Sequence, residues 1–237
     1  MKPILIILIS LFTPTAYGQS GVADSNGFTN KAEAKNLIMN GLKEGKWVEY
    51  FDQNHHPTTD TNVAFTYYLS CYKKGQLYGI VRGYYRNGQL SSEHPYSNNI
   101  LNGVEKWYSA NGKLGEELPY INGKRNGLDR EYFWSGKLHS EIPYVNGKIN
   151  GVRKDYYEKG EEVSVEAPYT NDTVNGLEKF YYESGALESE EPYNNGKLNG
   201  IQKEYYESGK LKSETTYSDG IKGATKNYDE NGNEIKQ

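Results

Sequence analysis

The stretch GVEKWYSANGKLGEELPYINGKRN, residues 103–126, runs directly into GLDREYFWSGKLHSEIPYVNGKIN, residues 127–150. Laid over each other, both carry Gly at places 1 and 10, Tyr at 6, Leu at 12, Glu at 15 and Pro-Tyr at 17 and 18. The same unit opens at Gly45, Gly79, Gly103, Gly127, Gly151, Gly176, Gly200 and Gly223. A period of this length is the mark of an array in which one supersecondary unit is copied and stacked on its neighbour.

Each unit scans as a β-hairpin. In the first stretch an extended run over 104–108 meets a turn at 109–112, a second run returns from Leu114 to Pro119-Tyr120, and 121–126 leads into the next copy. The Asn-Gly pairs at 87–88, 111–112, 122–123, 146–147 and 195–196 suit turn positions that need positive φ. The expected fold is all-β: an elongated, single-layer meander of about eight hairpins, open at both ends. Proline at a fixed strand position removes a donor, which predicts a strand end or an irregular ladder there.

Side chains alternate across a strand, so residues two apart share a face. One face then carries an apolar column (Ile80, Val104, Leu128, Val152, Leu177, Ile201, Ala224) and a basic column (Arg82, Lys106, Arg130, Lys154, Lys179, Lys203, Lys226). A tyrosine column follows: Tyr84, Tyr108, Tyr132, Tyr156, Tyr181, Tyr205, Tyr228. On the return strand, Glu93, Glu117, Glu141, Glu166, Glu190 and Glu214 recur with the same cadence. Two readings of the basic column are open, a stripe for an anionic partner or neutralisation by the glutamates across each hairpin, and the shared cadence favours the second. Tyrosine kept in every copy reads first as glue between copies, with an aromatic binding groove as the alternative.

Composition bounds the rest. The 237 residues include 23 tyrosines and few aliphatics, which implies a thin packed layer and not a deep globular core. A net charge of -4 leaves no electrostatic footprint for nucleic acid. Residues 1–18 read as a signal peptide: Met1 and Lys2, an apolar run over 4–12, Pro14, and small residues at Ala16-Tyr17-Gly18 ahead of Gln19. The mature chain is thus expected to be exported, to the periplasm or outside, and not transmembrane. Residues 19–40 read as a flexible lead-in, with one or two helical turns over 31–39, and 41–237 as the array. Cys71, the one cysteine, reads as a half-buried structural thiol.

About ten extra residues between Phe51 and Ala64 interrupt the first unit, and insertions in arrays go to loops on one face. This loop carries His55 and His56, which with Asp52 and Asp60 form a solvated polar segment lacking the fixed spacing of a metal site. No Ser-His-Asp set or phosphate loop can be picked out, so neither an enzyme nor a cofactor is expected. The candidate partner-binding residues are His55, His56, Tyr85, Phe133, Tyr157, Tyr182 and Tyr206, the last five being the positions that follow the tyrosine column.

The unit G-x-x-K-x-Y-Y-x-x-G-x-L-x-x-E-x-P-Y-x-N-G-K-x-N-G, clearest over 127–151 and 200–223, resembles the MORN-type repeat in its bacterial variant, as in the YwqK family of antitoxin-like proteins. The similarity covers roughly 41–233. It implies a twisted sheet of hairpins acting as an interaction scaffold with no catalytic residues to carry over. The function expected is a monomeric, exported scaffold that binds another protein. The alternatives are an envelope glycan or lipid binder and an antitoxin or immunity protein. N-terminal sequencing of the exported protein should begin at or near Gln19; a cytosolic product retaining Met1 would overturn the export reading.

Overall fold

The computed structural model describes residues 26–160 and 162–235. The expected signal segment and the first part of the lead-in lie outside them. The described chain is one open antiparallel meander, with a single 3-10 turn at Lys31–Glu33.

One unit shows how it is built. Gly127–Tyr132 pairs with Leu138–Val145 in the register Leu128↔Pro143, Arg130↔Glu141 and Tyr132↔Leu138. The hairpin turn closes through Phe133 N to Lys137 O at 2.8 Å and Gly136 N to Phe133 O at 2.7 Å. After Val145, Asn146 (φ 52) and Gly147 (φ 86) make a tight two-residue turn into the short strand Lys148–Ile149. Both turn residues sit left-handed, as the right-handed twist of the flanking strands requires. Asn122 and Asn195 match this, whereas at 87–88 and 111–112 only the glycine has positive φ, because those pairs lie in the longer hairpin turns. Each tight turn also hangs on the preceding unit, with Gly147 N donating to Arg125 O (2.7 Å) and Gly196 N to Val174 O (2.9 Å).

The proline column meets the opening glycine. Asn126 N donates to Pro119 O at 2.9 Å, then Gly127 swings to φ 127 and the ladder resumes at Arg130↔Glu117. A Cβ on Gly127 would lie 3.0 Å from Pro119 Cγ, and Gly103, Gly151, Gly176 and Gly200 face Pro95, Pro143, Pro168 and Pro192 in the same way. The irregular ladder expected from the prolines is therefore a recurrent bulge, which bends and twists the sheet once per unit. In the last unit Thr216 stands in the proline's place, and Gly223 there does not adopt positive φ.

The pairings place the apolar, basic and first tyrosine columns on one face with the glutamates, hereafter the ladder face. Cations meet Glu across the first four regular hairpins: Arg82–Glu93 at 2.9 Å, Lys106–Glu117 at 3.2 Å, Arg130–Glu141 at 3.0 Å, Lys154–Glu166 at 3.0 Å. The tyrosine of the next unit donates to the same carboxylate: Tyr132 to Glu117, Tyr156 to Glu141 and Tyr205 to Glu190, each at 3.0 Å. Burial and then the Glu141 hydrogen bond push the Tyr156 hydroxyl up to about 12, so it stays a donor at neutral pH. Between these rungs Val104, Val152, Leu177 and Ile201 remain exposed, so the apolar column is a surface stripe and not a core.

Among the described residues a buried apolar cluster forms at the first hairpins, and the lead-in helps build it. From residue 26 the segment expected to be flexible lies across the ladder face, where Phe28 is buried with Leu69, Cys71 and Tyr84 and packed by Ala34, Val48 and Tyr67. Cys71 is thus fully buried, not half-buried. The Arg82 guanidinium donates to Asn26 O at 2.7 Å, and a Cβ at Gly27 would sit 2.3 Å from the Ile80 carbonyl oxygen. In place of the helical turns expected over 31–39, the chain makes the 3-10 turn and then the strand Leu37–Met39, which pairs with Leu42–Phe51. Asn36 continues this edge with its side chain, Oδ1 accepting from Val48 N (2.9 Å) and Nδ2 donating to Val48 O (3.1 Å). An outer strand is thereby shielded from pairing with other chains.

Gly127→Ala should lower stability by about 1–3 kcal/mol, since it forces an L side chain into a left-handed conformation against a proline ring. Gly115→Ala, where φ is ordinary and the nearest atom to an added Cβ is Ser109 Oγ at 3.5 Å, should cost clearly less. Urea unfolding followed by circular dichroism checks this; equal losses would mean that the bulge is not the constraint.

Candidate functional site

The face opposite the ladder is where the copies differ. The position two after the opening glycine reads Val81, Glu105, Asp129, Arg153, Glu178, Gln202, Thr225, in contrast to the uniform columns behind it. Across the hairpins these residues meet His94, Leu118, Ile142, Ala167, Glu191 and Thr215. Next to them runs a row whose register is continuous over the sheet: Ser92, Trp107, Glu116, Glu131, Ser140, Asp155, Val165, Phe180, Ser189, Glu204. Acids dominate this face, with Arg153 the one Lys or Arg in these two rows and Arg125 reaching in from the short strand Lys124–Arg125.

Several of these polar residues are deeply buried although the sheet has one layer. Asp129 is 1 % exposed, and Ser92 and Ser140 are inaccessible. Asp129 Oδ2 takes a hydrogen bond from the Arg125 guanidinium at 3.0 Å, while its Oδ1 has no partner. Desolvation, opposed by Arg125 and helped by the Glu116 and Glu131 charges, pushes the Asp129 carboxyl up to about 7. Burial likewise raises Glu116 and Glu178 above the usual carboxylate range. Arg125 also lies over the Tyr144 ring, 5.2 Å from its centroid, and donates to the Tyr144 hydroxyl at 3.2 Å.

The structure brings together one chain of residues that sequence reading did not find. His94 Nε2 lies 2.8 Å from Ser92 Oγ, and His94 Nδ1 lies 2.5 Å from Glu105 Oε1. The order matches a serine–histidine–carboxylate relay, but Ser92 is wholly buried and Gly83 is packed so closely that a Cβ there would lie 2.4 Å from Ser92 Oγ. A nucleophile must reach its substrate, so these three act as a buried polar network. Two residues two apart on one strand, Ser92 and His94, were the available signal.

The expected binding residues divide into two groups. The hydroxyls of Tyr85, Tyr157, Tyr182 and Tyr206 each donate to a backbone carbonyl one unit on, at Tyr108 (3.0 Å), Tyr181 (2.6 Å), Tyr205 (2.8 Å) and Tyr228 (2.8 Å). Their rings stay half-exposed, and Tyr182 lines a recess with Glu188, Ser189, Glu191, Gln202 and Glu204. Phe133 has no hydroxyl and packs against His139, ring centroids 4.3 Å apart. His55 and His56 lie in the turn after Phe51, held by the Asp52 carboxylate, which accepts from Asn54 N (2.8 Å) and His56 N (2.9 Å). The segment after them is not one long loop: Pro57–Thr58 pairs back onto Tyr50 and Phe51 and covers the outer edge of their strand before the chain returns at Thr66–Lys73. Among the described residues no group of His, Cys, Asp and Glu is arranged to hold a metal ion, and no helix is long and apolar enough to cross a membrane.

Four stretches match the MORN repeat variant. They are residues 77–98, 101–122, 174–195 and 198–219. MORN repeats are commonly binding or scaffolding modules and typically carry no catalytic residues. The stretch between the matched pairs, 123–173, keeps the same strand register, bulges and turns, so the MORN-like geometry is continuous from Gly79 onward. No curated protein matches the chain.

The raised Asp129 carboxyl gives a pH test. Its folded pKa lies above the unfolded value near 3.8, so the folded state holds the proton more tightly and stability falls as pH rises from about 4 to about 7. At ~1.4 kcal/mol per unit this group accounts for up to about 4 kcal/mol. Asp129→Asn keeps the shape, removes the titration and should flatten that decline, read as the difference in urea midpoints between the two proteins at pH 4 and pH 7. An unchanged slope would show the carboxyl to be ionised throughout.

Proposed function

We propose that this chain is an exported, monomeric, non-enzymatic scaffold that binds a protein partner bearing basic residues, and that the acidic face opposite the ladder is the surface it reads with. The observation that carries this is the contrast between faces. Each basic residue of the ladder face has a glutamate across the strand pair, and from Tyr108 onward each tyrosine hydroxyl of the column has a carboxylate. Contacts within the array account for the polar columns of that face. The opposite face has no such cadence: its central rows change from unit to unit, carry unneutralised carboxylates, and are bordered by the half-exposed rings of Tyr85, Phe133, Tyr157, Tyr182 and Tyr206. Rigid aromatic borders around charge suit recognition of oppositely charged protein segments. His55 and His56, in the turn that follows the first-unit counterpart of Phe133, extend the same border.

A cross-linked pull-down from envelope fractions tests the reading. Glu131→Gln with Glu178→Gln should weaken capture of the principal partner at least tenfold at low salt, the difference narrowing as salt rises, while Lys106→Gln with Lys203→Gln on the ladder face should leave it nearly unchanged. Loss confined to the ladder-face variant, or competition by soluble glycans, would reject a basic protein segment on the acidic face.

A further inference from the structure

We propose that the recess between hairpins 103–121 and 127–145 is a binding site for an arginine side chain, whose guanidinium stacks on Trp107 and bridges the Glu116 and Glu131 carboxylates. This rests on the reading of the acidic face above and names what one place on it takes. The recess is lined by Trp107, Glu116, Glu131 and His139, beside Ser109 and Gly115.

Three observations converge there, and a fourth, at Asp129, lies beside the recess and outside its lining. Glu116 and Glu131 are direct cross-strand neighbours, the one such pair of carboxylates in their row, and like charges placed so are destabilising unless something sits between them. Neither makes an ion pair with Lys or Arg, although the Arg125 charge partly offsets that of Glu116: Glu131 has Ser140 Oγ at 3.3 Å and His139 Nδ1 at 3.8 Å. Asp129, on the same strand face as Glu131, keeps a buried oxygen without a partner, within the field of both glutamates. Trp107 is 41 % exposed beside Glu116, with its ring braced edge-on by His94 at 5.0 Å.

The protein contains an example of the same chemistry. Arg125 lies over the Tyr144 ring and pairs with Asp129, an aromatic platform and a carboxylate on this face holding one guanidinium. At the recess the platform and carboxylates are present and the cation is missing. Arginine fits better than lysine: two acids on adjacent strands, ~5 Å apart at Cβ, suit a planar fork with donors on two edges, and a weakly hydrated plane stacks on indole.

The test is titration of the full chain with Nα-acetyl-arginine amide, followed by NMR at the Trp107 indole N–H, assigned with Trp107→Phe. Nα-acetyl-citrulline amide, equal in shape and uncharged, is the control. The expected result is a saturable shift with arginine alone, at least fivefold weaker in Glu116→Gln/Glu131→Gln and unchanged in Glu207→Gln, at an exposed turn position outside the face. An equal response to citrulline, or undiminished binding in the double variant, overturns the site. Because the wild-type comparison needs no mutant, a variant that misfolds leaves the test intact. If the arginine probe gives no shift while acidic-face variants still lose their partner, this site falls and the acidic face stands as the docking surface.

Discussion

The carboxylate at the fifteenth place of each unit belongs to two hairpins at once. Glu141 accepts from Arg130 across its own hairpin and from Tyr156 of the next, and the pattern recurs along the ladder face. Singly these contacts are weak, about 0.2–1 kcal/mol for an exposed ion pair and about 0.5–1.5 kcal/mol for a hydrogen bond. A one-layer sheet has no second layer to press on, so it gains its cohesion by repeating such contacts between nearest neighbours. The tight turns add a second line of attachment, and the hydroxyls of Tyr157, Tyr182 and Tyr206 a third.

Because fastening is concentrated on one face and along both margins, the centre of the other face is released from it. Asp129, Arg153 and Glu178 hold equivalent places in successive hairpins without disturbing a common backbone register. The bulge at each proline–glycine contact gives the sheet its regular bend, so different side chains are presented on the same curve. Constancy on one side thus permits variation on the other.

The ladder face was legible in the sequence because strand alternation converts spacing directly into facing: Lys, Tyr and Glu at fixed offsets leave few other arrangements. The glycines and prolines announced an irregularity, but only coordinates show that Gly127 and Pro119 touch. The lead-in was misread since Phe28 is one aromatic in a polar run, and its burial depends on Leu69 and Cys71, some forty residues away. The inserted loop hid the edge-covering pair Pro57–Thr58 for a related reason: two residues carry no periodic signal. Asp129 and the Ser92–His94–Glu105 network were invisible because they stand where the repeat has no rule, and their surroundings come from other strands: Arg125 at Asp129, Tyr68 and Trp107 at His94, Gly83 at Ser92.

The first and last described hairpins are fastened differently. Over the first, the chain lies back across the sheet and buries Phe28 behind a covered edge, while in the last Ile221–Tyr228 is paired with Leu211–Ser218 on one side and with Glu234–Ile235 only near its tip. Tension drawn along the stack would therefore peel strands from the far end, one hairpin after another, each releasing roughly 80 Å of slack from 24 residues at ~3.4 Å apiece. The molecule would behave as a graded tether, yielding in equal lengths while the clamped end kept its grip.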